Sequence, residues 1–148
     1  MTPFEARVVA EARAWIGTPY VHQASVRGAG ADCLGLVRGV WRAVVGAELE
    51  PLPAYTPDWG EAGGRELLMA AALRWLVARP LGAERAGDVL LFRMADGRVA
   101  KHVGIAVAGG DRASFVHAYT GHGVVESPLS SPWARRVVGR FGFPEGMA

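Results

Sequence analysis

The sequence predicts an α+β fold, with helices first and an antiparallel sheet after them, and two observations carry that prediction. Over the first half, apolar residues recur at three- and four-residue steps. Over the second, short β-branched and aromatic runs are separated by Gly, Asp and Pro turns. Helices followed by strands, rather than alternating with them, pack on one side of a sheet. The 148 residues suffice for a real core and show no internal repeat or linker, so 1–148 is read as a single domain.

Thr2 and Pro3 open the first helix, Thr2 as its cap and Pro3 in its first turn. Phe4, Val8, Ala12 and Trp15 share one face, and Gly17 ends the segment. Residues 18–31 read as a Gly-rich loop. A second helix starts at Asp32, with Cys33, Leu36, Val37, Val40, Trp41 and Val44 at helical steps until Gly46. In "ELEPLPAYTPDWG", Pro51, Pro53 and Pro57 exclude helix and central strand. A third helix is expected from about residue 61 to 78, carried by Leu67, Leu68, Leu73, Trp75 and Leu76 and closed by Pro80. "GDVLLF", "KHVGIAV", "ASFVHAY", "GVVES" and "RRVVGRF" then give an antiparallel meander of about five strands.

Half the residues are apolar and a fifth charged, which describes a globular chain. The net charge is only +2, and of sixteen basic residues all but Lys101 are arginine. No basic stretch interleaves with aromatics, Arg135-Arg136 being the nearest case, so no nucleic-acid partner is expected. The N-terminus spreads Glu5, Arg7, Glu11 and Arg13 through an amphipathic pattern, unlike a signal peptide. No apolar run approaches the roughly 20 residues of a membrane span. Synthesis in the cytoplasm without a signal peptide is the expectation.

Cys33 is the only cysteine, which excludes an internal disulfide. A lone cysteine is most often a small buried hydrophobe. Here Asp32 can cap the helix, placing Cys33 in the first turn, where free N–H groups and the dipole favour a thiolate. Gly35, two residues on, leaves space for the sheet to approach.

A nucleophilic thiol needs a base, usually histidine. In "KHVGIAV", His102 alternates with Gly104 and Ala106 on one strand face, while Val103, Ile105 and Val107 form the core face. A two- or four-residue loop centred between Gly110 and Asp111 would pair residue 104 with residue 117. His117 then shares the face of His102, one diagonal step or about 7–8 Å away. A three-residue loop without a bulge would put the two on opposite faces. The geometry proposes Cys33 as nucleophile, His102 as base and His117 as the group that orients it. Purely structural roles remain open, as does a metal site of Cys33, His102 and His117, although no closely spaced ligand pair supports it.

Other residues have plainer readings. Tyr20 suits a half-buried loop position, Asp32 a helix cap, and Asp88 a turn residue satisfying backbone N–H groups. His22 and His122 suit the surface, with His22 near enough to the cysteine loop to touch a substrate. The five tryptophans suit core or a partner interface.

Taken in order, "WIGTPY", "DCLGL", "AGDVLLF", "HVGIAV" and "FVHA" resemble the motifs of the NlpC/P60 family of papain-like cysteine peptidases, over residues 15–118. The resemblance implies that fold, with Cys33 as nucleophile, His102 as base, His117 as the third polar residue and the Tyr20 hydroxyl beside the nucleophile. It also implies a substrate, the peptide stems of peptidoglycan, cut at an amide of the D-γ-glutamyl-diaminopimelate type without a metal or other cofactor. More narrowly, "TPYVHQASVRGAGADCLGLVRGVWR", "GDVLLFRM", "VVESPLSSPWARRVVGRF" and the closing "FP" resemble the branch found in phage tails and gene transfer agents. That implies tail hub, baseplate or tail fibre proteins as partners, and delivery to the wall by a particle. A structural tail component with a vestigial site is the alternative. Leu34 stands where the family commonly has Ser, and His22-Gln23 where it has Trp-Gly.

Overall fold

In the computed structural model, which describes residues 1–49, 54–57, 59 and 63–145, helix α1 spans Pro3–Ala14. Its start is a reciprocal cap: the Glu5 N–H donates to Thr2 Oγ1 at 3.1 Å, and the Thr2 N–H donates to Glu5 Oε1 at 2.7 Å. Val8, Val9, Ala12 and Trp15 are buried and Phe4 partly so. The loop after it holds a small antiparallel hairpin, β1 (Ser25–Val26) with β2 (Gly30–Ala31), where the sequence suggested irregular chain.

Helix α2 (Cys33–Val44) is capped by Asp32, whose Oδ1 accepts the Gly35 N–H at 2.7 Å. Gly35 does admit a close neighbour, but not the sheet. A Cβ there would lie 1.8 Å from the Ala24 carbonyl oxygen, so it is the hairpin loop that sits down on the helix. Ser25 Oγ reinforces this contact by donating to the Gly35 carbonyl at 2.6 Å.

The third helix is shorter than expected. Helix α3 covers Leu67–Trp75, and Val77–Arg79 instead forms strand β3. Arg79 precedes Pro80, a position that favours extended backbone, and β3 finds a partner in the last strand. The expected beginning at residues 61 and 62 lies outside the described residues, as do 50–53, 58 and 60 of the proline-rich stretch.

Strands β4 (Val89–Arg93), β5 (Ala100–Ala108), β6 (Ser114–Tyr119) and β7 (Gly123–Pro128) form the meander. The last strand does not extend it. After the one-turn helix α4 (Ser131–Ala134), β8 (Val137–Gly142) returns to the far edge of β4, pairing Val89 with Phe141 and Leu91 with Gly139. The sheet therefore has six strands in the order β3-β8-β4-β5-β6-β7, where about five were expected. This return satisfies the β4 edge, which would otherwise bury unpaired backbone groups.

Val89, Leu91, Val103, Ile105, Val107 and Val116 meet α1 and α2 in the main core. On the other face Leu90, Phe92, Ala106 and Phe115 make a smaller cluster covered by Leu129, Trp133 and Val137. At the start of β4, buried Asp88 accepts the Arg85 N–H at 2.8 Å, as its turn position suggested. It also pairs with Arg79 at 3.0 Å and Arg140 at 2.5 Å, tying β3 and β8 to β4.

The β5–β6 register decides where the histidines go. Ile105 pairs with Val116 and Ala106 with Phe115, which continues to Gly104 opposite His117. The loop is not the even one that the sequence argument used, because Ala108 pairs with Ser114 around a 3₁₀ turn at Gly110–Arg112. An irregularity between Ala106 and Ala108 restores the parity. His102 and His117 thus share a face.

Candidate active site

A cleft is lined by Tyr20, His22, Cys33, Tyr55, Trp59 and His102, joined by Asp32, Lys101, Tyr119 and Thr120. It gathers the N-terminus of α2, the chain before β1, the end of the proline-rich stretch and strands β5 and β6.

Cys33 sits in the first turn of α2 and is only 6 % exposed. Burial, followed by the charge of neighbouring Asp32, pushes its thiol up to about 12. The backbone amides of Val103, Leu34 and Cys33 itself act in the opposite direction and lose. The sulfur of the free protein therefore carries its proton near neutral pH. At this helix start, desolvation thus outweighs the hydrogen bonds of the nearby amides, against the expectation of a thiolate.

His102 and His117 are both buried, and His102 Nε2 lies 2.7 Å from His117 Nδ1. The other ring nitrogen of His117, Nε2, lies 2.8 Å from Ser127 Oγ on β7. Burial pushes the His102 imidazole down to about 3, helped by His117. It pushes His117 down to about 4, helped by His122. Both rings are neutral at pH 7. With Nε2 of His102 committed to His117, its Nδ1 is the nitrogen available for proton transfer.

The low-bulk face of β5 is covered by a tryptophan that also packs on the smaller cluster. The Trp133 ring centroid lies 5.7 Å from that of His102, 5.2 Å from that of His117 and 5.3 Å from that of Phe115. Arg136 stacks over its ring at 5.6 Å. Trp133 thereby walls the histidine pair from water and contributes to the burial that keeps both rings neutral.

Tyr20 is held by a parallel bridge to Ala31, next to the cap of α2. Burial raises its hydroxyl above the usual phenol range, against a hydrogen bond with Thr120. His22 is more exposed. Its Nε2 is 3.1 Å from the Tyr55 carbonyl, and its Nδ1 is 3.7 Å from Asp32 Oδ2. His122 stacks on Tyr119 at 5.3 Å.

The proline-rich stretch supplies a wall that the sequence reading did not assign. Tyr55 donates its hydroxyl to Asp32 Oδ2 at 2.5 Å and stacks on Trp59 at 4.2 Å. Burial, and then this bond to Asp32, raise the Tyr55 hydroxyl well above its ordinary value. Gln23 joins both, its N–H donating to Asp32 Oδ2 and its side chain to the Tyr55 carbonyl, each at 2.7 Å. Asp32 is thus a cap, as expected, and also the hub that fixes one side of the cleft. Two aromatics four residues apart, in "YTPDW", were the available signal.

A thiol, an imidazole backed by a second imidazole, and a phenol hydroxyl line one cleft, the set of groups used in acyl transfer through a covalent intermediate. Among the described residues, no three His, Cys, Asp or Glu side chains are grouped as metal ligands would be. Among the same residues, no helix is long and apolar enough to cross a membrane. A second concavity between α2 and α3 is walled by Leu34, Trp41, Leu68 and Trp75, beside the Arg38–Glu48 ion pair.

The family model described as NlpC/P60 family matches residues 17–141. The murein DD-endopeptidase MepS/murein LD-carboxypeptidase of Escherichia coli K12 is 29% identical over 143 residues, covering 92% of this chain and 64% of the relative. Its counterpart from Escherichia coli O157:H7 matches to the same extent. The chain therefore spans under two thirds of the length of these relatives. Among solved structures, the NlpC/p60 domain of peptidoglycan hydrolase SagA matches with a TM-score of 0.64 at 26% identity, over 94% of this chain and 98% of that one. An NlpC/P60 family protein of Bacillus cereus ATCC 10987 shares the fold at 20% identity with a TM-score of 0.64, over 95% of this chain and 40% of that one. With its papain-like α+β architecture and a family match across most of its length, the chain belongs to the NlpC/P60 family.

Proposed function

We propose that the protein is a cysteine peptidase that hydrolyses an amide bond in the peptide stems of peptidoglycan, with Cys33 as nucleophile, His102 as general base and acid, and His117 as the group orienting His102. The observation that carries this reading is the convergence of Cys33, His102 and Tyr20 on one cleft, with His102 Nε2 bonded to His117. The names of the relatives, a murein endopeptidase and a peptidoglycan hydrolase, support the substrate class.

The chemistry follows from neutral partners. As the Cys33 sulfur attacks the carbonyl carbon, its proton passes to His102 Nδ1, and His117 stabilises the resulting imidazolium. The carbonyl oxygen becomes an oxyanion, held by the Cys33 backbone N–H and the Tyr20 hydroxyl. His102 then protonates the departing amine and leaves a thioester on Cys33. Water, giving a proton to His102, cleaves the thioester and releases the carboxylic acid and the thiol. His22, Tyr55 and Trp59 line the wall along which the stem peptide would lie.

The likeness of "VVESPLSSPWARRVVGRF" to the phage-tail and gene-transfer-agent branch supports a place in such a particle, with hub, baseplate or tail fibre proteins as neighbours. Incubating purified sacculi with wild type and with Cys33→Ser, each with its melting curve, tests the activity. Soluble muropeptides from wild type alone, at equal melting temperatures, are expected. An inert wild type that co-purifies with tail particles would favour a structural component instead. Mass spectrometry must score both the D-γ-glutamyl-diaminopimelate bond and the bonds that the names of the Escherichia coli relatives indicate.

A further inference from the structure

The histidine pair does not end at His117. Its outer nitrogen, Nε2, lies 2.8 Å from the hydroxyl of Ser127, which reaches across from the neighbouring strand β7. The β6–β7 register is continuous here, Val116 facing Glu126 and Phe115 facing Ser127. Glu126 is engaged elsewhere, by Arg13 at 3.0 Å and Ser114 at 2.8 Å. Ser127 is partly buried.

Two neutral imidazoles bridged by one proton have two arrangements. In the first, His102 Nε2–H donates to His117 Nδ1, and His117 Nε2–H donates to Ser127 Oγ. His102 Nδ1 then keeps a lone pair and can receive the thiol proton. In the second, His117 Nδ1–H donates to His102 Nε2, Ser127 O–H donates to His117 Nε2, and the His102 proton occupies Nδ1. That form cannot act as a base. The direction of the bond at the outer nitrogen of His117 is thus coupled to a tautomer two rings away.

We propose that Ser127 is a positioning residue whose hydroxyl accepts the His117 Nε2–H and thereby holds both imidazoles in the tautomer that leaves His102 Nδ1 free to take a proton. This rests on the reading of His102 as the base. Because His117 is a histidine and not an acceptor-only carboxylate or amide oxygen, it cannot fix its own proton. A hydroxyl can donate as well as accept, so the direction of the His117–Ser127 bond is what the proposal commits to.

The test reads tautomers directly, in the whole protein without substrate, so it stands apart from the peptidase reading. With ¹⁵N-labelled histidine near neutral pH, wild type should show unprotonated Nδ1 and protonated Nε2 on both His102 and His117. Ser127→Ala should mix or invert that pattern, and Ser127→Thr should restore it. On peptidoglycan, Ser127→Ala should lower kcat about 10- to 100-fold, the range for a metal-bound histidine that loses its outer hydrogen-bond partner, with KM little changed. The proposal is overturned if wild type carries the His102 proton on Nδ1, or if folded Ser127→Ala keeps both the wild-type pattern and the wild-type kcat. A wild type with the expected tautomers but no hydrolysis would count against the peptidase reading and leave the role of Ser127 in place.

Discussion

The Tyr55 hydroxyl donates a 2.5 Å hydrogen bond to Oδ2 of Asp32, whose other oxygen caps the helix that begins with Cys33. One carboxylate thereby joins an aromatic wall to the start of α2. Tyr55→Phe should remove a bond to a buried charge and cost about 1.5–3 kcal/mol. It should also loosen Trp59, seen as stronger acrylamide quenching of tryptophan fluorescence and a raised KM. Unchanged quenching would show that the wall stands without this anchor.

Burial of Cys33 sets an alkylation profile that differs from that of an activated thiol. Iodoacetamide should label the protein more slowly than a free thiol near neutral pH, with the rate rising only toward about pH 12. The Asp32 charge contributes to that elevation, so Asp32→Asn should move the profile to lower pH. Rapid labelling of wild type at neutral pH would contradict the protonated resting state.

Acid should destabilise the fold through the histidine pair. Folded values of about 3 and about 4 lie below the ordinary 6.5, so both rings bind protons more readily when unfolded. Their contribution is complete above pH 6.5 and is lost as pH falls through the folded values. The loss is on the order of a few kcal/mol. Denaturant melts at pH 7 and pH 4 should show it, and His117→Gln should flatten the difference. An equal slope in the variant would assign the acid limb to other groups.

Gly104 gives the pair its room. A Cβ there would lie 2.8 Å from the Phe115 ring and 3.2 Å from the His117 Cβ. Gly104→Ala should cost about 1–3 kcal/mol by overpacking and lower kcat, because His117 is pushed from its bond to His102. Thermal melts alongside hydrolysis rates check both effects.

Much of this was legible locally. The Thr2 and Asp32 caps, the apolar face of α2 and the strands around His102 and His117 all follow from short-range pattern. The shared face of the two histidines was also anticipated, although a bulge and not an even loop produces it. What escaped depends on distant chain. The edge of β4 drew β8 back across the sheet, and pairing with β8 turned Val77–Arg79 from helix to strand. Ser127, Trp133 and Tyr55 join the site from segments distant in sequence from Cys33 and His102, where no local pattern marks them as partners of the cleft. The thiol's protonation state is likewise set by the burial of the whole cleft, which the helix start alone does not reveal.

Acylation of Cys33 by a peptidoglycan stem peptide can be caught directly, by intact-protein mass spectrometry after acid quenching of a muropeptide digestion, followed by peptide mapping. A stem-peptide fragment attached through a thioester to the peptide containing Cys33 is expected. Undiminished muropeptide cleavage by a folded Cys33→Ser protein, with no adduct on wild type, would contradict it.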